Sequence, residues 1–256
     1  MPVRNTIVAL VLAALVGGAV WFSTLNDVDT PAQGSPVEGQ GVELTWKTER
    51  YTESTYLYSI GISYPSTTNP QIQTRVDEIV AEEILRFKAD SVGLIDDIEE
   101  SRIRAQGRPY ELIIEYKAYS DRGLVSFEFD IYLDTGGAHP NSFFRTATFN
   151  QQGGELALED LFLPEAAYLS RLSDEAYSRV LVELGRRVGG EVTSDMADIV
   201  RLGTAPSPEA LQFFYLEDRE IHLLFPPYQV AAYAAGSFDI AIPFSVLRDI
   251  VRPEIQ

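Results

Sequence analysis

The run Thr135-Gly136-Gly137-Ala138-His139-Pro140-Asn141 sets an imidazole, an amide and two adjacent glycines between two strand-like stretches. Paired glycines open backbone angles that other residues avoid, so a tight loop here presents His139 and Asn141 together. His139 is one of only two histidines. The other, His222, lies in Glu220-Ile221-His222-Leu223-Leu224-Phe225, a strand pattern in which a half-buried, hydrogen-bonded ring is expected. A second loop, Pro226-Pro227-Tyr228-Gln229-Val230-Ala231-Ala232-Tyr233-Ala234-Ala235-Gly236, carries two tyrosines on a segment stiffened by prolines. Rigid amphipathic rings lose little entropy when a partner covers them. The chemistry these residue types offer is recognition, and the candidate binding residues are His139, Asn141, Pro226, Tyr228 and Tyr233.

Other chemistries find less support. A serine hydrolase needs a nucleophile elbow, and no Gly-x-Ser-x-Gly occurs. A catalytic zinc takes about three protein ligands. The sequence shows neither His-x-x-x-His nor a His-Asp pairing, so no metal and no cofactor is expected. Glu159 and Asp160 are sequence neighbours and point to different sides, while Asp96-Asp97 and Glu99-Glu100 read as a solvated helix face. No carboxylate pair of the kind glycosidases use stands out. Gly136-Gly137 and Gly153-Gly154 lack the Lys-Ser/Thr that follows a phosphate loop. Basic residues cluster only at Arg186-Arg187, which leaves no footprint for nucleic acid.

The elements that must position the two loops are legible as alternating strands and amphipathic helices. Strands are expected over 43–49 and 56–64, then a helix from Asn69-Pro70 to about Lys88, with Asn as cap and Pro in the first turn. Ile72, Val76, Ile79, Val80, Glu83, Ile84 and Phe87 give that helix one apolar face, and a second helical stretch runs to Gln106. A hairpin follows, 110–120 and 124–133, turning at Asp121-Arg122-Gly123. Val125, Phe127, Phe129 and Ile131 alternate with Ser126, Glu128 and Asp130 along its second strand. The histidine loop leads to a strand over 143–149, a turn at Gln151–Gly154, a helical turn near 158–162, and an amphipathic helix over 164–188 stopped by Gly189-Gly190. Strands over 212–216, 220–225 and 238–242 and a closing helix over 244–251 complete the chain. The fold class expected is α+β, mainly antiparallel sheet with packed helices, in two lobes after an N-terminal membrane helix.

Composition bounds the setting. The 256 residues are 45% hydrophobic and 11% aromatic, enough for a full core, and contain no cysteine, so an exported domain must hold together without disulfides. Arg4 precedes an apolar stretch from Ile7 to Phe22, the layout of a signal anchor or signal peptide, with the remainder outside the cytoplasmic membrane. If the anchor is cut, the protein is secreted. Residues 26–41, rich in Gly, Pro and small polar residues, read as a stalk. Beyond residue 26 there are 19 basic and 38 acidic residues, a formal charge of −19 that steers basic partners inward and repels nucleic acid.

The order of motifs, Gly136-Gly137-Ala138-His139, Phe149-Asn150, Gly153 to Phe162 and Phe225 to Gly236, resembles the RsiV C-terminal domain family, a lysozyme-sensing extracytoplasmic domain also found in PdaC-type peptidoglycan deacetylases. Pro140 stands where related sequences usually carry glycine, and Ala232 where they usually carry proline. The resemblance implies residues 1–25 as anchor, 26–41 as stalk, 42–106 as an N-terminal α/β lobe and 107–256 as the RsiV-like domain. It also implies a membrane-anchored, non-enzymatic domain binding a cell-wall-associated ligand, either peptidoglycan glycan or a basic lysozyme-like protein. Only Met1–Thr6 precede the apolar run and the sequence stops at Gln256, so neither a sigma-factor-binding segment nor an appended deacetylase domain is expected. The rival expectation is a glycan-modifying enzyme working through His139 and a nearby acid, or an accessory module of an envelope enzyme.

Overall fold

Strand alternation, a capped amphipathic helix and glycine-bearing turns build a six-stranded sheet in the order β1 to β6. The computed structural model describes residues 44–255. The expected anchor and stalk, residues 1–41, lie outside the described residues. Strands β1 (Trp46–Ser54) and β2 (Tyr58–Thr67) form an antiparallel pair. Helices α1 (Pro70–Asp90) and α2 (Asp97–Gln106) then carry the chain across to β3 (Tyr110–Asp121), which runs parallel to β2. Strands β4 (Leu124–Asp134), β5 (Asn141–Phe149) and the short β6 (Glu155–Leu156) continue the sheet antiparallel.

Local chemistry explains these elements. The Asn69 side chain accepts the amides of Gln71 and Ile72, and Pro70 occupies the first turn, where its missing N–H costs nothing. All seven residues of the expected apolar face of α1 are buried, including the carboxylate-bearing Glu83, which pairs with Arg86 and Arg145. The β3–β4 turn places Arg122 at φ 47° and Gly123 at φ 82°, the two positive angles a two-residue hairpin loop matching strand twist requires. Phe127, fully buried, sits between Trp46 at 5.7 Å and Phe149 at 6.3 Å between ring centroids.

A second unit follows: α3 (Tyr168–Val188), α4 (Ser194–Gly203) and a three-stranded antiparallel sheet of β7 (Phe214–Glu217), β8 (Glu220–Phe225) and β9 (Phe238–Pro243). Helix α3 ends at Gly189 with φ 65°, as the Gly-Gly pair predicts. Its core, from Leu158 to Ile255, is separate from the core spanning Leu44 to Phe149. Two large hydrophobic cores, a small third cluster of Phe144, Tyr215 and Leu224 drawn from both sheets, and mixed helix and sheet agree with an α+β fold of two lobes. The sheet runs straight through residue 107, where β2 and β3 are neighbours, and the change of core falls near residue 157.

Ser126 and Glu128, which alternate with the core residues of β4, are 0% and 2% exposed, because the second lobe covers that face of the sheet. The Ser126 hydroxyl accepts the Leu216 amide at 3.2 Å and Thr146 accepts the Phe214 amide at 3.2 Å, so β7 docks on β4 and β5 through side-chain acceptors. The expected closing helix over 244–251 is a single 3-10 turn, Phe244–Val246. Tertiary pairing takes its backbone instead: Leu163 donates to the Ile250 carbonyl, Arg252 donates to Leu161, and Val251 bridges Phe162. The acids of the α2 face are exposed or part-exposed, as expected, and three of the four also make local bonds. Asp96 caps the helix, Glu99 binds Arg102 and Tyr110, and Glu100 binds Arg104 and Tyr56.

Phe127→Ala should cost about 3–5 kcal/mol in denaturant unfolding, as for large core aromatics, whereas Asn69→Ala should cost about 1 kcal/mol as a lost cap.

Candidate functional site

Asp134 closes β4 and fixes the loop that follows. Its carboxylate accepts the Gly136 amide at 2.8 Å and pairs with Arg108 at 2.5 Å. Burial pushes the Asp134 pKa up, but Arg108 and the Gly136 amide outweigh it and hold the group below the usual range. Gly136 has φ 74°, and a Cβ there would meet the Arg102 guanidinium at 2.0 Å. Helix α2 thus presses Arg102 onto the glycine, and the backbone of 135–140 is set from below.

The second loop is pinned at both ends. Gln229 donates to the carbonyls of Gly203 and Ala210, at 2.9 and 2.8 Å, and a Cβ on Gly203 would strike the Gln229 carbonyl at 2.0 Å. Arg187, at the end of α3, donates to the carbonyls of Ala235 and Ser237 and lies 3.9 Å over the Phe238 ring. Val230 and Ala231 are buried between these ties. Helix α4, which sequence reasoning missed, supplies one of them. Its signal was present in the Thr193 cap, whose hydroxyl accepts the Met196 amide, with Asp195 in the first turn.

These supports bring three of the five expected site residues, His139, Tyr228 and Tyr233, to one place. His139 stacks on Tyr233 at 3.9 Å between centroids, and Tyr228 lies 5.4 Å from Tyr233. The Pro140 carbonyl accepts the Tyr233 hydroxyl at 2.9 Å and faces His139 Nδ1 at 3.0 Å. A carbonyl only accepts, so Nδ1 carries a proton, and Nε2 shares a hydrogen bond with the Tyr228 hydroxyl, 2.9 Å away. Pro226 opens the second loop and accepts the Gln229 amide. Asn141 is exposed at the start of β5, opposite Leu133. His139 comes from the first lobe and both tyrosines from the second, so the cluster bridges them. Tyr233 is half-buried and ties the loops together, while Tyr228 is 59% exposed with φ 72°, a left-handed backbone angle that a non-glycine residue adopts at a cost.

His222 is placed elsewhere, a hydrogen-bonded strand histidine as expected, and its partner is an aspartate that no sequence motif marks. The β8–β9 register puts His222 Nδ1 2.8 Å from Asp239 Oδ1, and Tyr215 donates its hydroxyl to the other oxygen at 2.6 Å. A pairing made by strand register leaves no spacing signal in sequence. Among the described residues, no group of three or more His, Asp or Glu side chains is arranged to hold a metal ion.

Because only glycine adopts positive φ without strain, Tyr228→Gly should be more stable than Tyr228→Ala by about 1 kcal/mol in thermal unfolding, although both lose the same ring.

Comparison with known proteins follows the same division. The family model described as Deacetylase PdaC matches residues 51–142, and that described as a protein of unknown function, DUF3298, matches residues 159–245. The peptidoglycan-N-acetylmuramic acid deacetylase PdaC of Bacillus subtilis is 26% identical over 234 residues, 91% of this chain. The chain spans 45% of that relative's length. A DUF3298 family protein of Bacteroides fragilis shares the fold with TM-score 0.58 and 17% identity, covering 85% of this chain and 96% of its own. One from Pseudomonas aeruginosa does so with TM-score 0.53 and 18% identity, covering 83% and 95%. These findings correct the expectation of a non-enzymatic protein: the relative and the first family model are both named for a deacetylase, which points to an enzyme family. That expectation came from the resemblance to a binding domain, beside the absence of catalytic motifs. Among the described residues no helix is long and apolar enough to cross a membrane. The chain is thus similar to the PdaC model over its first part and to DUF3298 over its second, and it shares the fold of the solved DUF3298 structures.

Proposed function

We propose that this chain serves the modification of cell-wall glycan, as the peptidoglycan-engaging part of a deacetylase-type envelope enzyme. The observation that carries the reading is similarity over 91% of the chain to a peptidoglycan-N-acetylmuramic acid deacetylase. The aromatic cluster supplies a surface that suits the ligand. A saccharide ring offers an apolar C–H face and a rim of hydroxyl and amide groups. Tyr228 offers an exposed, amphipathic ring to such a face, with Pro226 beside it in the chain, and the Asn141 amide is available to the polar rim. The two tied loops hold these groups before the ligand arrives, which lowers the entropy lost on binding.

The compartment fits the substrate: Arg4 and the apolar run from Ile7 to Phe22 would hold residues 42–256 on the outer side of the cytoplasmic membrane, where peptidoglycan lies. The formal charge of −18 also favours encounter with a basic lysozyme-like protein, which makes that protein the second ligand worth testing.

Co-sedimentation of the purified chain with insoluble peptidoglycan, alongside an assay for acetate release, tests the reading. Peptidoglycan should retain the chain, and Tyr228→Ala should weaken retention by about 1–2 kcal/mol, as for exposed aromatic contacts, with melting nearly unchanged. Tyr233→Ala should lower both retention and melting, since its hydroxyl joins the loops. Neither retention nor acetate release would overturn the proposal, and binding to lysozyme alone would replace glycan with a protein ligand.

A further inference from the structure

The two sheets meet through a column of stacked rings that the aromatic loops do not use. Tyr119 of β3 stacks on Tyr215 of β7 at 3.8 Å between centroids, 12° from parallel. Tyr215 stacks in turn on His222 of β8 at 4.3 Å, 17° from parallel. Each ring is tied at its polar end. Tyr119 donates to Glu128 at 2.6 Å, Tyr215 donates to Asp239 at 2.6 Å, and His222 Nδ1 lies 2.8 Å from the same Asp239. Asp239 therefore holds both His222 and the tyrosine that touches the first lobe.

The charges around His222 come from every element packed on it. Glu220 Oε2 of its own strand lies 3.7 Å from Nε2, Asp239 faces it from β9, and Glu217 at the end of β7 adds a third carboxylate. Behind Tyr215, the Lys117 ammonium pairs with Glu128 and Asp130 at 3.0 Å each, and Lys117 also acts on Asp239. An imidazole between carboxylates on both nitrogens is better held as a cation than as a neutral ring.

Strand register gives this arrangement reach. His222 lies three residues before Phe225, the last residue of β8, and Asp239 is the second residue of β9, so the pair brackets the loop that carries Tyr228 and Tyr233. We infer that His222 is a pH-sensitive latch: as imidazolium it clamps Asp239, which fixes Tyr215 against Tyr119, joins the two sheets and braces the base of the aromatic loop.

The direction in pH follows. Burial lowers the His222 pKa, but the bond and charge of Asp239 outweigh it and raise the group above its ordinary value of 6.5. Stability from the latch is then fully present below about pH 6.5 and is lost as pH rises through the folded-state value. Asp239 is held below its ordinary 3.8 and works the other way, losing its contribution only in strong acid. Glu128 is raised by burial above 4.5, so its own loss begins at lower pH than that of His222.

Two measurements on the full chain test the latch. With only two histidines, proton NMR of the imidazole C2 protons, assigned through His222→Gln, reads the His222 titration directly. It should fall above 6.5; a midpoint at or below 6.5 overturns the proposal, whether or not the variant folds. Thermal unfolding between pH 6 and 9 should show the wild-type melting point falling by several degrees more than that of His222→Gln, with hydrogen exchange across 226–236 accelerating over the same window. Equal pH slopes in wild type and His222→Gln would also overturn it.

Discussion

The structure depends on how one face of the long sheet is covered. Residues that alternate with the core of β4, namely Ser126 and Glu128, would face water in an open sheet, yet the second lobe buries them almost completely. A buried polar group without a partner costs about 1–3 kcal/mol, so this face is stable only if each group is matched. It is matched. Ser126 accepts an amide from β7 and shares a 2.9 Å bond with Thr148, while Glu128 accepts from Tyr119 and Lys117. Among the described residues no buried side-chain nitrogen or oxygen lacks a partner. The docking of β7 is therefore specific in register, because a shift would leave acceptors and amides unpaired on both sides.

That docking also makes the aromatic cluster possible. His139 belongs to the β4–β5 connection, Tyr228 and Tyr233 to the β8–β9 connection, and they meet because their two sheets are fixed relative to each other. Neither loop holds the site alone. Arg102 and Asp134 set one side, Gln229 and Arg187 the other, and the strain at Tyr228 is tolerated where those supports over-determine the backbone. On the reading proposed above, the exposed Tyr228 ring is where glycan would be met, and the relative named for a deacetylase replaces the non-enzymatic expectation that the resemblance carried.

What could be read from the sequence was local. The Asn69 cap with Pro70, the Arg122-Gly123 turn and the Gly189 stop all rest on neighbouring residues and held. Features set by distant pairing were not legible. The alternation Ser126, Glu128, Asp130 looks the same whether the face meets water or a second sheet, and the 244–251 segment has a helical pattern until residues 161–163 claim its backbone. The His222–Asp239 pair arises from register across a hairpin, and the parallel neighbours β2 and β3 are separated in sequence by two helices. Helix α4 is the exception, since its cap and end charges were in plain view.

The central claim is that side-chain acceptors on the first sheet hold the second lobe in place, and amide hydrogen exchange at Leu216 and Phe214 tests it most directly. In the native protein both amides should be protected to nearly the global unfolding free energy, because they donate to Ser126 and Thr146 across the junction. Ser126→Ala should expose Leu216 to exchange orders of magnitude faster while β3–β4 amides stay protected. Unchanged protection at Leu216 in that variant, or free exchange of both amides in the native chain, would contradict the account.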